Sequence, residues 1–237
     1  MRPSMRNAIC WSAVLTMFVA GTARAQATSA PPPAAPAGGG PVEVTPATGS
    51  PRWTVDSGET VGAGANVAAA AVGYPGLDLR LIHGLDATTD VNARVGFNYA
   101  FEGITRGTRF EFTAQVGIRK ELLKFGQNMK LAGRFDPGIL WAASPGQFGV
   151  KIPIGVEMGI PFSQVLMING SLDLPMFFTF GDNNAFYIPL LFGGGVEYLL
   201  EPNLAVTGKI KLGPTFGTNG FPTSFTLYLL AGAAYKF

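Results

Sequence analysis

From residue 60 to its end, the chain alternates in short segments between apolar residues and charged or small ones, and this period of two restricts it to strands with two unlike faces. The runs LDLRLIH (77–83) and VNARVGFNYAF (91–101) show the alternation most cleanly. Gly, Pro, Asn and Asp separate the segments, as turns between strands require. The pattern predicts strands at 60–72, 76–83, 90–101, 109–120, 129–141, 148–159, 165–179, 186–199, 204–216 and 224–237. Ten is an even number and returns both chain ends to one side, with eight or twelve strands as alternatives.

Sorted by parity, one face is apolar: Leu77, Leu79 and Leu81, then Val95, Phe97, Phe110, Phe112, Val116, Ile152, Ile154 and Ile210. The opposite face carries Asp78, Arg80, Asn92, Asn98, Arg109, Gln115, Lys130 and Lys151 together with Arg94, Glu111, Arg119, Arg134, Glu157, Asp173, Glu197, Lys209 and Lys211. A soluble lipocalin-like carrier has the same period with the faces reversed, so the amount of charge must decide. Charged residues make up 14% of the chain, against about 25% in soluble domains, too few to cover a solvated exterior. No run reaches the roughly 20 apolar residues of a membrane-spanning helix. A lysine or arginine facing lipid costs about 2–4 kcal/mol near the midplane, and several would exceed the ~5–15 kcal/mol of a typical fold. The charged face therefore points inward, and the expected fold is an all-β, antiparallel, up-and-down transmembrane β-barrel.

Aromatic residues fit two interfacial belts. With the N-terminus on the periplasmic side, one end collects Tyr74, Phe101, Trp141, Phe148, Phe177, Phe178, Phe186, Tyr187, Phe216 and Phe225. The other collects Phe125, Phe162, Tyr198, Tyr235 and Phe237.

The N-terminus has the layout of a secretory signal: Arg2 and Arg6, an apolar core over 8–20, and the small-residue site ARA ending at Ala25. Residues 1–25 are expected to be removed. That takes away Arg2, Arg6 and Arg24 and no acid, leaving 14 basic against 15 acidic residues, so nucleic acid has no electrostatic attraction to the mature chain. It also removes Cys10, the sole cysteine, and with it disulfides and thiolate chemistry. Residues 26–58, rich in Pro, Ala and Gly, read as a disordered periplasmic linker, and 59–237 as the barrel.

The chain ends in LYLLAGAAYKF, with Phe237 terminal, Tyr235 two before it, and Leu229 and Leu227 on the same face. This resembles the C-terminal signal of bacterial outer-membrane β-barrels, although Ala231 and Ala233 are smaller than that pattern usually carries. The resemblance implies an integral protein of the cell outer membrane, with outer-membrane lipid around it and the barrel-assembly machinery as its partner in biogenesis. In that reading Leu229, Tyr235 and Phe237 form the assembly signal.

Catalytic and metal sites have little to draw on, so the protein is read as a non-enzyme without cofactor. The one histidine, His83, shares the apolar face with Leu79 and Leu81, which disfavours a Ser and His pair of a lipid-modifying enzyme. The Gly193, Gly194 and Gly195 run has no following helix to complete a phosphate loop, and Gly62 and Gly64 lack the third glycine of the motif; glycine in a barrel makes room for long side chains crossing the lumen. The remaining candidate is the lumen network of Arg94, Glu111, Arg119, Arg134, Glu157, Asp173, Glu197, Lys209 and Lys211. It either fills a narrow interior with salt bridges or lines a passage, and at ten strands filling is favoured. The functional expectation is an outer-membrane protein that is structural or a narrow passive channel for small solutes. Short outer loops argue against a large receptor surface or a plug, while Pro137, Pro153, Pro175, Pro189 and Pro214 inside strands suggest a bulged or frayed outer rim. No feature of the sequence specifies an oligomeric state.

Overall fold

The computed structural model describes residues 53–104, 110–125, 129–143, 146–181, 184–218, 220 and 223–237. The expected signal peptide, residues 26–52 of the expected linker, and Arg109 lie outside them.

Alternating sequence becomes twelve strand segments: β1 (Asn66–Tyr74), β2 (Gly76–Gly84), β3 (Thr89–Asn98), β4 (Glu111–Phe125), β5 (Met129–Phe135), β6 (Gly138–Ala143), β7 (Gly146–Pro161), β8 (Leu166–Phe180), β9 (Ala185–Pro189), β10 (Leu191–Glu201), β11 (Leu204–Gly217) and β12 (Ser224–Lys236). β5 and β6 occupy one position between β4 and β7, and β9 and β10 one position between β8 and β11. The ring therefore has ten positions, every neighbouring pair antiparallel. β1 closes it against β12, with registers from Val67↔Lys236 to Tyr74↔Leu229. Phe237 completes the seam, its N–H donating to Asn66 O at 2.9 Å. Closure leaves no strand edge, which is what makes a sheet admissible in lipid.

The two faces differ as parity requires. Leu81 (59% exposed) and Val116 (64%) face outward, with Ile152 and Ile210 also exposed, while Asp78, Glu111, Arg119, Glu157 and Asp173 are buried inside. At the end where β1 begins and β12 finishes, here the terminal end, Phe125, Phe162, Tyr198, Tyr235 and Phe237 are exposed; at the far end so are Trp141, Phe148, Phe216 and Phe225. Phe101, Phe177 and Tyr187 depart from the expected belt. They lie buried inside the far end with Leu140 and Ala142, Phe177 stacked on Tyr187 at 4.5 Å and Phe101 edge-on to Phe177 at 5.5 Å. Parity alone puts Phe177 inward, since it is four residues from Asp173 on the same strand.

Two segments enter the lumen, correcting the expectation of an unplugged barrel. Residues 60–65, expected in the first strand, and 53–58, expected in the linker, instead fold into the terminal mouth. Trp53, Val55 and Val61 pack with Val67, Ile82, Ala205 and Ala234 there. Gly62 and Gly64, at φ +95° and +72°, make the turn from this segment into β1, a conformation open to glycine. At the far end a 3-10 turn, Phe101–Gly103, dips inward from the β3–β4 connection, and Ile104 bridges Thr226 on β12.

Of the five prolines expected to bulge or fray the outer rim, three sit in unbroken ladders and two at interruptions of a strand position. Pro153 and Pro175 oppose each other within the continuous β7–β8 ladder, and Pro214 opposes Phe225 in β11–β12. Pro137 lies in the break between β5 and β6, and Pro189 ends β9 just before the break to β10. Backbone bonds still cross both breaks: Val116 N–H donates to Pro137 O at 3.0 Å, and Leu190 N–H to Pro214 O at 2.9 Å.

Candidate lumen site

Inward-facing polar residues gather in three tiers. In the terminal tier the wall grips residues 53–61. Glu197 on β10 accepts the N–H groups of Val55 at 2.9 Å and Asp56 at 3.0 Å. Arg119 on β4 donates to Thr54 O at 2.9 Å and Ser57 O at 3.2 Å, and pairs with Asp90 through Nε at 3.1 Å. Asp90 also accepts Val61 N–H at 3.2 Å, and Trp53 Nε1–H donates to Pro202 O at 2.9 Å. Asp56 joins this tier to the next by ion pairs to Arg80 (3.1 Å) and Lys209 (3.2 Å). Burial raises the Asp56 carboxyl, but Lys209, then Arg80 and Lys211, hold it well below its ordinary value.

In the middle tier Arg134 stands among three acids, at 3.0 Å from Asp136, 3.3 Å from Glu157 and 2.6 Å from Asp173. Lys211 reaches Asp173 at 2.8 Å, and Arg94 reaches Asp78 at 2.6 Å. The long Lys211 side chain crosses in front of Gly193, where a Cβ would stand 2.9 Å from Lys211 Cγ and 2.3 Å from Ser171 Oγ. Glycine there makes room for the network rather than for a phosphate.

The far tier centres on Glu102 in the inward turn. Its φ of +46° is the one positive value at a non-glycine residue among those described, and it aims the carboxylate at Lys151 and at the Tyr228 hydroxyl, 3.2 Å away. Glu111 on β4 accepts from Asn98 Nδ2 at 2.8 Å and from Glu102 N–H at 3.0 Å.

Between the tiers lies a cavity of about 60 Å3, space for roughly four to six waters at ~10–15 Å3 each. Arg94, Arg134, Lys151, Lys209 and Lys211 line it, against the acids Asp78, Glu102 and Asp173. Pro153, Pro175 and Leu191 supply apolar wall.

All nine residues expected in the lumen network face the interior, but in different tiers: Arg119 and Glu197 terminal, Arg94, Arg134, Glu157, Asp173, Lys209 and Lys211 in the middle, Glu111 far. Asp90 and Asp136 share parity with Arg94 and Arg134, so alternation was signal enough to add them. Glu102 and Asp56 arrive from turns, where no period exists to reveal them. Outside the lumen, His83 is exposed on the outer face with Nδ1 2.9 Å from Asn66 Oδ1. Leu229, Tyr235 and Phe237, the expected assembly signal, are exposed along the outward face of β12 and its end.

A closed antiparallel ring, apolar outside and ionic inside, is a transmembrane β-barrel fold of ten positions, the small outer-membrane type. No family profile matches the chain, and no curated protein matches it in sequence. Among solved structures it is similar to the KdgM porin in complex with disordered oligogalacturonate, at 10% identity and TM-score 0.41, covering 73% of this chain and 99% of that one. The KdgM porin without that ligand in its description gives 10% identity and TM-score 0.34, covering 73% and 99%. A de novo designed transmembrane β-barrel gives 18% identity and TM-score 0.31, covering 76% and 99%. At such values the assignment rests on the ladders and the two faces themselves.

Proposed function

We propose that this protein is an integral barrel of the bacterial outer membrane, without enzymatic activity, whose charged lumen is a narrow passage for small polar solutes that rests closed. The observation that carries this reading is the charged lumen cavity of about 60 Å3, with Glu102 of the Phe101–Gly103 turn in its wall on one side, while on the other Trp53, Val55 and Val61 fill the mouth of the barrel. Neither closing segment belongs to the barrel ladders, so either can leave without opening the ring. A soluble carrier of the lipocalin type is disfavoured because the lumen is ionic while the exposed face is apolar, the reverse of what an aqueous exterior and an apolar ligand require.

The test is conductance in planar bilayers of the whole mature chain and of a variant lacking residues 53–61. The intact chain should carry little steady current, and the deletion should raise it several-fold while retaining a heat-dependent gel shift. A deletion variant that keeps the shift and stays electrically silent would reduce the barrel to a structural role.

A further inference from the structure

The wall holds residues 53–61 by their main chain. Glu197 accepts the N–H groups of Val55 and Asp56, Arg119 donates to the carbonyls of Thr54 and Ser57, and Arg80 donates to that of Val55 at 3.0 Å. Asp90 accepts the N–H of Val61, and Lys236 donates to its carbonyl at 2.9 Å. Seven peptide groups are thus bound by five wall side chains. The strands behind them pair with one another, so the ring does not need the segment for its backbone bonds. Glu197 is 4% exposed, and besides the two N–H groups it meets Asn169 Nδ2 at 3.5 Å. With no peptide present it is a buried carboxylate short of donors, and a chain offering two adjacent N–H groups restores them.

Side chains of the segment add selectivity. Asp56 meets Arg80 and Lys209, and Val55 and Val61 enter the apolar cluster with Val67 and Ala205. Gly58 lies against β5, where a Cβ would stand 2.0 Å from Lys130 O. The segment also braces its own bend, Thr54 Oγ1 donating to Glu59 O at 2.9 Å. It runs into β1 through residues 62–65, where Ala63 and Gly64 are exposed.

We infer that the terminal mouth is a peptide-binding site, which residues 53–61 occupy in cis as an autoinhibitory ligand and which takes a like peptide of another protein in trans. The ligand class is a short bent segment with a carboxylate in the place of Asp56, glycine two residues later and aliphatic residues on either side. A second copy of this chain is a poor donor of it. Ten strands ~4.8 Å apart and tilted ~40° make a ring roughly 20 Å across, so two lumens lie further apart than that. From Val61 to Asn66 the chain spans at most about 17 Å. The inference rests on the passage reading only for its consequence, that a competing peptide lifts the segment out; the binding itself is measured with no current flowing.

The experiment uses the mature chain with a protease recognition sequence inserted between Ala63 and Gly64, folded in detergent and then cut, so that the barrel forms with its own segment in place. The probe is a fluorescent synthetic peptide of residues 53–61. Saturable binding to the cut barrel by fluorescence anisotropy is expected, with release of the cut fragment on gel filtration. The uncut chain should bind the peptide far more weakly, since its tethered segment competes at an effective concentration of millimolar order. Peptides carrying Asp56→Asn or Gly58→Ala should each bind at least about tenfold more weakly, the first by the scale of a lost charge-assisted bond, the second by overlap with the β5 backbone. Neither change touches the folding of the barrel. In the unmodified chain, excess peptide should speed hydrogen exchange over residues 53–61 and leave the ladders unchanged, a readout that no failed insertion can obscure. Absence of saturable binding, equal binding of all three peptides, or exchange indifferent to the peptide would overturn the inference. So would loss of the heat-dependent gel shift on release of the fragment, which would make the segment part of the fold. A rise in current on cutting without peptide binding would remove the site and keep the passage; peptide binding with unchanged current would do the reverse.

Discussion

Arg119 is the strongest single tie between the wall and the segment inside it, which makes Arg119→Met the most informative perturbation. Its side chain is 4% exposed and makes bonds to Asp90 and to the carbonyls of Thr54 and Ser57. Methionine keeps most of the volume but strands the Asp90 carboxylate, 1% exposed, with Val61 N–H as its remaining donor. Removing one partner of a buried ion pair costs about 3–5 kcal/mol, and the account expects a loss of that size. Adding Asp90→Leu removes the stranded charge. The double variant should then recover only part of the loss, the remainder reflecting the two carbonyls and the Val61 N–H left without partners at ~1 kcal/mol each. Urea titration of the detergent-folded protein, with a midpoint from gel mobility or tryptophan emission, measures both. Were Arg119→Met to lie within ~0.5 kcal/mol of the parent, the range of an ordinary surface substitution, the wall would not be holding the segment.

Three further outcomes follow from particular contacts. Gly193→Val drives a side chain into Ser171 and Lys211 and should cost about 1–3 kcal/mol, whereas Gly194→Val points to open space, its Cβ meeting Asn169 O at 3.7 Å, and should be neutral in the same titration. Asp56 is lowered in the fold by its cations, so its contribution to stability is complete above its ordinary value of 3.8 and is lost as pH falls below that toward the folded value. Asp56→Asn should therefore lower stability at neutral pH and flatten the loss below about pH 4, and an unchanged acid limb in a pH series of unfolding midpoints would contradict the pairing. Deleting Phe237 removes the backbone pair that ends the β1–β12 seam; less heat-shiftable barrel in the outer-membrane fraction is expected, and normal assembly would show that the C-terminal aromatic is no signal.

Parity carried most of the fold into view because a strand has a period of two and each barrel strand separates lipid from lumen. It placed Leu81 and Val116 outside and Arg94 and Asp173 inside without further information. It failed where the chain leaves the ladder. Residues 60–65 look like a strand by composition, yet Val61 donates its N–H to a wall carboxylate rather than to a neighbouring strand. Trp53 is read as linker beside Pro and Gly, although its ring finds a buried place in the terminal mouth. Both choices depend on a cavity that exists only once ten strands have closed. The belt assignment of Phe101, Phe177 and Tyr187 failed for a related reason: position near a strand end says nothing about whether a ring faces lipid or an inward-dipping turn.

The central claim, that the apolar face meets lipid all around the ring, is tested most directly by fluorescence quenching from within the bilayer. The mature chain is expected to lack cysteine, so Leu81→Cys, Val116→Cys, Ile152→Cys and Ile210→Cys give single labelling sites on four different strands. With a small fluorophore at each, reconstituted into vesicles of brominated phosphatidylcholine, the account predicts strong quenching at all four and little effect of aqueous iodide. Quenching by aqueous iodide with none from the brominated lipid would place that face in water and contradict the membrane barrel.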